Sequence, residues 1–380
     1  MKDDSSYVSS NENKEIDNED NKNNKNNKKN KYNKVNKNNI FNEDNGNNRD
    51  NGDKPKKKED FTNCTLFSKY KVKKKLTEGN FSYIYLATND NGDNFCCKIE
   101  PINSPQLLLE DESKIMDYLR GPYIPSIKLY GKSGEYNILI MQLLGKSLDY
   151  YIKKLEKFSI KTTVMLACQM IDILQYIHTR HIIHRDIKPG NFVMGLGKSN
   201  LDLFIIDFGF AKKYRSNKTA NNYPMKKGYQ LTGTARFSSI HAMKGLEQSC
   251  RDDLESLAYV LYFFLIGRLP WQGIKEKSKE ELYQKILDKK MKIKSEELGQ
   301  NLPIQFCEFL EYSRNLKYRE QPNYNLFKKK IKDIICVDND ESKFDKIYDW
   351  IDKQKVEREK NKDKNNNREI ETVKSTCCRM

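Results

Sequence analysis

The chain has 380 residues, with 69 Lys and Arg against 53 Asp and Glu, and a formal net charge of +16. No apolar leader follows Met1 and no apolar run approaches the length of a membrane span, so neither secretion by a signal peptide nor integral insertion is expected, and a cytoplasmic location is. The basic residues alternate with acids and no stacking or groove-reading motif accompanies them, which argues against a specific nucleic-acid partner. The nine cysteines are an odd number without zinc-site spacing and read as reduced, mostly buried small hydrophobes.

Residues 1–67 are dominated by Asn, Lys, Asp and Glu, and cannot bury enough apolar area to offset the entropy of ordering them, so they are read as a disordered extension. Within them Lys54-Pro55-Lys56-Lys57-Lys58 has the outline of a nuclear-import patch, although in so lysine-rich a background it reads as solvated charge. Strands are predicted over Tyr70 to Leu76, Ser82 to Thr88 and Asn94 to Glu100, with Asn91-Gly92 as the hairpin turn between the last two. The bend after the first strand, Leu76-Thr77-Glu78-Gly79-Asn80-Phe81-Ser82-Tyr83-Ile84-Tyr85, has one glycine where a phosphate-covering loop has three, with Thr77 and Ser82 at the outer places. Lys98 is the one cation in the apolar stretch Phe95-Cys96-Cys97-Lys98-Ile99. Leu107 to Leu119 has helical spacing that sets Leu108, Glu112, Ile115 and Leu119 on one face, so Glu112 can meet Lys98.

Past a hinge near Gln142-Leu143-Leu144 the pattern turns helical, with Val164, Ala167, Met170, Ile171, Leu174 and Ile177 at helix period. The stretch His184-Arg185-Asp186-Ile187-Lys188-Pro189-Gly190-Asn191 follows, then an apolar run ending at Ile205-Ile206 that delivers Asp207-Phe208-Gly209. These residue types suit phosphoryl transfer. A carboxylate at Asp186 can orient and deprotonate a hydroxyl, and an ammonium at Lys188 can neutralise charge on the moving group. Asn191 and Asp207 supply oxygens to Mg2+, a hard cation that prefers a few protein oxygens plus phosphate and water. Leu257 to Ile266 is apolar nearly all round, as a helix at a domain centre should be.

The runs Glu112-Ser113-Lys114-Ile115, Leu143-Leu144-Gly145-Lys146-Ser147-Leu148, Asn191-Phe192-Val193-Met194-Gly195, Leu231-Thr232-Gly233-Thr234-Ala235-Arg236-Phe237, Arg251-Asp252-Asp253-Leu254-Glu255-Ser256-Leu257 and Leu269-Pro270-Trp271-Gln272-Gly273 resemble the casein kinase I family. Ser239-Ile240-His241 stands where that family has Ser-Ile-Asn. The resemblance covers residues 68–351. It implies an α+β, two-lobed protein kinase fold with a small β-rich N-lobe and a larger, mostly helical C-lobe, and a monomeric enzyme that moves the γ-phosphate of ATP to Ser or Thr.

By the same resemblance Asp186, Lys188, Lys98 and Glu112 are catalytic. Thr77, Gly79, Ser82, Ile84, Cys96, Lys98, Met141, Leu144, Asn191, Val193, Ile206 and Asp207 form the nucleotide site, and Asn191 and Asp207 hold Mg2+. Arg236 and Lys275, with Arg268 beside them, imply a pocket for acidic or phosphorylated substrates. Arg185 and Lys212 imply part of a second, where Tyr229 replaces a further lysine. Among the departures, Gly190 replaces an Asp, Ala258 a Gly, and Cys96 an Ala, which would place a reachable thiol above the adenine. The rival expectation, based on the altered glycine loop, is a catalytically weak scaffold that binds phosphoproteins through the same pockets. Residues 352–380 form a polar tail, and Cys377 and Cys378 near its end suggest lipidation and membrane association.

Overall fold

A computed structural model describes residues 60–79, 81–216 and 221–351. The import-like patch at 54–58, Asn80, and the tail with Cys377 and Cys378 lie outside the described residues. Among those described, no helix is long and apolar enough to cross a membrane.

The N-terminal part is a six-stranded antiparallel sheet in the order β1-β2-β3-β4-β6-β5. Its strands are β1 (Thr65–Leu66), β2 (Tyr70–Glu78), β3 (Tyr83–Thr88), β4 (Asn94–Pro101), β5 (Ile127–Ser133) and β6 (Tyr136–Gln142), with α1 (Leu109–Tyr118) between β4 and β5. The β3–β4 hairpin turns at the expected place, where Gly92 takes φ +81°, a value that favours glycine. The outer face of the sheet buries Val72, Tyr85, Ala87, Cys97, Ile99, Ile138 and Ile140.

That face is covered by the segment just before it, which changes the expected boundary of the folded region. Phe61 is buried against Tyr85 and Tyr136, with ring centroids 5.7 and 4.8 Å away, and Leu66 is buried beside it. The ordered body therefore includes residues 60–67. The polar average of the extension hides Phe61, Cys64, Leu66 and Phe67, which are enough to cap a small exposed sheet.

The C-terminal part is mainly helical: α2 (Leu148–Leu155), α3 (Ile160–Thr179), α4 (Ile240–Met243), α5 (Cys250–Ile266), α6 (Lys279–Lys292), α7 (Ser295–Leu298), α8 (Ile304–Asn315) and α9 (Tyr324–Lys332). Two small antiparallel pairs join β7 (Ile182–Ile183) to β10 (Lys212–Lys213) and β8 (Phe192–Met194) to β9 (Leu203–Ile205). Every residue of α5 from Cys250 to Leu265 is buried, so this helix is the axis on which the others pack. Its N-terminus carries three carboxylates, Asp252, Asp253 and Glu255, that fix neighbouring loops. At the far end of the described chain Trp350 stacks on Tyr151 at 4.1 Å, and Asp349 accepts from both the N–H and the hydroxyl of Ser159 at 2.7 Å. The architecture is the two-lobed α+β arrangement.

Candidate active site

Period-two alternation along β4 sends Phe95, Cys97 and Ile99 into the outer core and leaves Cys96, Lys98 and Glu100 on the face toward α1 and the cleft. Lys98 Nζ lies 2.6 Å from Glu112 Oε2 and 3.1 Å from Asp207 Oδ1. Burial alone would favour the neutral amine, but the Glu112 and Asp207 carboxylates outweigh it and hold the ammonium's pKa above its ordinary value. Lys98 in turn is the main reason that the Asp207 carboxyl lies below the usual range.

The helix that carries Glu112 is anchored to the same strand. Glu100 Oε1 accepts from the N–H groups of Leu108 at 2.8 Å and Leu109 at 3.1 Å, and its Oε2 accepts from Asn137 at 3.1 Å. No side chain of the helix itself caps this end. A carboxylate at a helix N-terminus satisfies orphan donors and complements the helix dipole, so Glu100 sets α1 where Glu112 reaches Lys98. The buried residues of α1 are Leu109, Glu112, Ser113 and Met116; of the expected stripe, Glu112 and Leu119 are buried and Leu108 and Ile115 half-buried.

The loop from His184 to Asn191 hangs from α5. Asp253 accepts from the backbone N–H of His184 at 2.8 Å and of Arg185 at 2.9 Å, and His178 Nε2 donates to it at 2.8 Å. His184 donates through Nε2 to Ile206 O at 3.1 Å and accepts at Nδ1 from the Asp186 N–H at 3.3 Å, so its partners fix its tautomer. Arg185 has φ +67°, a left-handed conformation that costs a non-glycine residue ~1–3 kcal/mol. The Asp253 bond and a 2.5 Å bond from its Nε to Phe210 O hold it there.

Asp186 is thereby presented with its carboxylate enclosed by donors: Lys188 Nζ at 2.5 Å and Asn191 Nδ2 at 3.3 Å on Oδ2, and Thr234 Oγ1 at 2.9 Å on Oδ1. Thr234 ties the segment after Gly233 to the loop. Gly233 has φ +83°, and a Cβ there would lie 2.6 Å from Arg185 O and 2.9 Å from Asp186 Oδ1. Asp207 also adopts a left-handed conformation, φ +68°, with its side chain partly exposed in the cleft.

Asn191 spends its amide hydrogens on Asp186, at 2.9 Å to the backbone oxygen as well as to Oδ2, which leaves its carbonyl oxygen for another partner. That oxygen and the Asp207 carboxylate are the hard donors that Mg2+ takes when phosphate and water complete its shell. Among the described residues no group of three or more His, Cys, Asp and Glu is placed to hold a metal unaided, so the donor set fits a cation that arrives with phosphate.

For the nucleotide, Ile84 pairs opposite Lys98 and Cys96 opposite Met141, Val193 lies in β8, Ile206 donates to Asn191 O at 2.9 Å, and Leu144 follows β6. In the segment above them the Gly79 N–H donates to Ser82 O at 2.8 Å. Cys96 is half-buried, and burial pushes its thiol up to about 12, which favours the protonated form.

A model of the protein kinase domain matches residues 70–341. The chain belongs to the protein kinase family. The kinase domain's motif residues Lys98, Glu112, Asp186, Lys188, Asn191 and Asp207 are drawn together by the contacts above.

Of the two implied anion sites, Arg236 is exposed and has no carboxylate partner among the described residues, and its carbonyl bonds to Trp271, four residues before Lys275. Arg268 folds onto its own turn, donating to Gln272 O at 3.2 Å. Around the second, Lys212 is paired with Glu247 at 2.8 Å, and the Tyr229 hydroxyl also bonds Glu247. Burial opposes the Glu247 carboxylate, but Lys212, Tyr229 and Arg185 outweigh it and hold its pKa low. An outside anion at Arg185 and Lys212 would meet this resident charge.

The motifs gave Glu100, Thr234, Glu247 and Asp253 no role. Each acts on a residue distant in sequence, and the only available signal was an acid or hydroxyl inside an otherwise apolar or motif-rich stretch.

Proposed function

We propose that this kinase transfers the γ-phosphate of ATP to Ser or Thr hydroxyls in acidic or already phosphorylated proteins, as a casein kinase I type enzyme. The observation that supports the reading is that the Lys98–Glu112 pair, Asp207 and the Thr234–Asp186–Lys188 cluster occur together in one chain. Mg2+, held by Asn191 and Asp207 when it enters with ATP, supplies charge neutralisation at the phosphates. Lys98 would bind the phosphates with its ammonium. Asp186 orients the acceptor hydroxyl and takes its proton, and Lys188, 2.5 Å from that carboxylate, stands ready to offset negative charge during transfer. Arg236, exposed and without an acidic partner among the described residues, supports the preference for a negative side chain near the acceptor.

The test is phosphate transfer to matched Ser peptides, one with an upstream phosphoserine and one without, with Asp207→Asn and Lys98→Met as controls. Both variants should lose activity at least about a hundredfold while remaining folded, with Lys98→Met the less stable of the two because it leaves Glu112 buried without its partner. Wild-type transfer no faster than the variants, with retained phosphopeptide binding, would favour the scaffold reading.

A further inference from the structure

Lys290 is the feature of this molecule that the catalytic site does not use. It continues the buried face of α6 formed by Ile286 and Leu287, where an aliphatic side chain would pack without cost, yet it is fully buried. An ammonium taken from water is expensive unless its hydrogens are satisfied. No carboxylate forms an ion pair with it among the described residues, and Glu255 acts on it only from longer range. Its Nζ instead donates to Ala235 O at 2.9 Å and Ser238 O at 2.5 Å, and lies 4.7 Å and 5.0 Å from the ring centroids of Tyr259 and Trp271.

Those carbonyls belong to the turn that bears Arg236. Trp271 Nε1 donates to Arg236 O at 2.7 Å, and Thr234 O accepts from the N–H of Phe237 at 3.0 Å and of Ser238 at 3.1 Å. The carbonyls of 234, 235, 236 and 238 are therefore all engaged within the fold, while the Arg236 side chain is exposed. The turn begins at Thr234, which bonds Asp186. The same helix α6 forms, with Lys275, an open groove of about 690 Å³.

We propose that Lys290 is a positioning residue for substrate selection: with Trp271 it clamps the 234–238 turn from beneath, so that Arg236 is held at a fixed distance from Asp186 and reads a negative side chain on the acceptor peptide. This rests on the substrate preference proposed above and assigns the residue that enforces it.

The experiment measures Kd by fluorescence anisotropy and kcat/KM by transfer, for an acidic Ser peptide and its neutral counterpart, in wild type, Lys290→Met and Trp271→Phe. Lys290→Met keeps the bulk and removes the donors, and Trp271→Phe keeps a ring and removes only the N–H. Both should reduce the acidic-to-neutral ratio, about tenfold for Lys290→Met and less for Trp271→Phe, with the KM for ATP within twofold of wild type. A folded Lys290→Met protein that keeps the wild-type ratio would overturn the proposal. If that variant does not fold, an unchanged ratio in Trp271→Phe overturns it instead. Wild type that prefers the acidic peptide in binding but transfers to neither removes the transfer reading, and Lys290 is then judged on the binding ratio. Wild type with no preference at all removes both.

Discussion

Glu100→Ala deletes the group that ties α1 to β4. The side chain is 2% exposed, so the two backbone N–H groups it serves, at 2.8 and 3.1 Å, and the Asn137 amide at 3.1 Å would face a small cavity rather than open water. A hydrogen bond to a charged group contributes ~1.5–3 kcal/mol, and loss of an ordinary helix cap costs ~1 kcal/mol. Partial relaxation of the helix end makes the three losses less than additive, and we expect a total of about 3 kcal/mol. Glu100→Gln should cost only about 1 kcal/mol: its amide oxygen still accepts from α1, and once the Asn137 amide turns over its NH2 can donate to Asn137 Oδ1, which has no partner among the described residues. Urea unfolding measures the difference, and hydrogen exchange at residues 108–113 locates it. Because Glu112 loses its fixed approach to Lys98, the KM for ATP should rise in the alanine variant and little in the glutamine one. An alanine variant within about 0.5 kcal/mol of wild type, the range of ordinary surface changes, with unchanged exchange would refute the reasoning.

Gly233→Ala should lower kcat at least about tenfold with little change in the KM for ATP, because its Cβ would push on the Arg185 carbonyl and the Asp186 carboxylate; an unchanged kcat in steady-state assays would contradict this. For His178, burial works against the imidazolium, but Cys250 and Asp253 outweigh it and raise the pKa from 6.5 to about 10. Its stabilisation is therefore fully present below about pH 6.5 and lost as pH rises through about 10, so the penalty of His178→Gln in denaturant titrations should shrink over that range, by at most about 5 kcal/mol. A penalty that stays flat with pH would show that the ring is neutral throughout. Starting the chain at residue 68 removes the buried Phe61 and Leu66, which at ~1.5–3 kcal/mol each should cost about 3–6 kcal/mol, read as a lower Tm; a loss below about 1 kcal/mol would mean that the outer sheet face does not need this cover.

The parts of the fold legible in the sequence were those governed by local period. β2, β3 and β4 follow alternation and a turn dipeptide, α3 follows its buried stripe, and α5 follows its all-round apolarity. The candidate site residues Asp186, Lys188, Asn191 and Asp207 could be picked out because they come in a fixed local order. What escaped were residues whose partner is far along the chain. Glu100 ends a strand as any charge might, and Lys290 sits in a lysine-rich helix where solvent exposure is the default reading. The predicted stripe of α1 faces inward, with Glu112 and Leu119 buried and Leu108 and Ile115 half-buried, but the burial of Ser113 beside it was not legible, because a serine carries no apolar signal.

Glu247 bears on how the segment leading into α4 is kept in place. In a segment ordered by phosphorylation, the population of the ordered form follows the balance of two outside enzymes, one adding the anion and one removing it. Here the anion that meets Lys212, Tyr229 and the neighbourhood of Arg185 is part of the same chain. It is present at a high effective concentration that no second protein changes. Phosphatase treatment is then expected to leave the contacts of Glu247 with Lys212 and Tyr229 untouched.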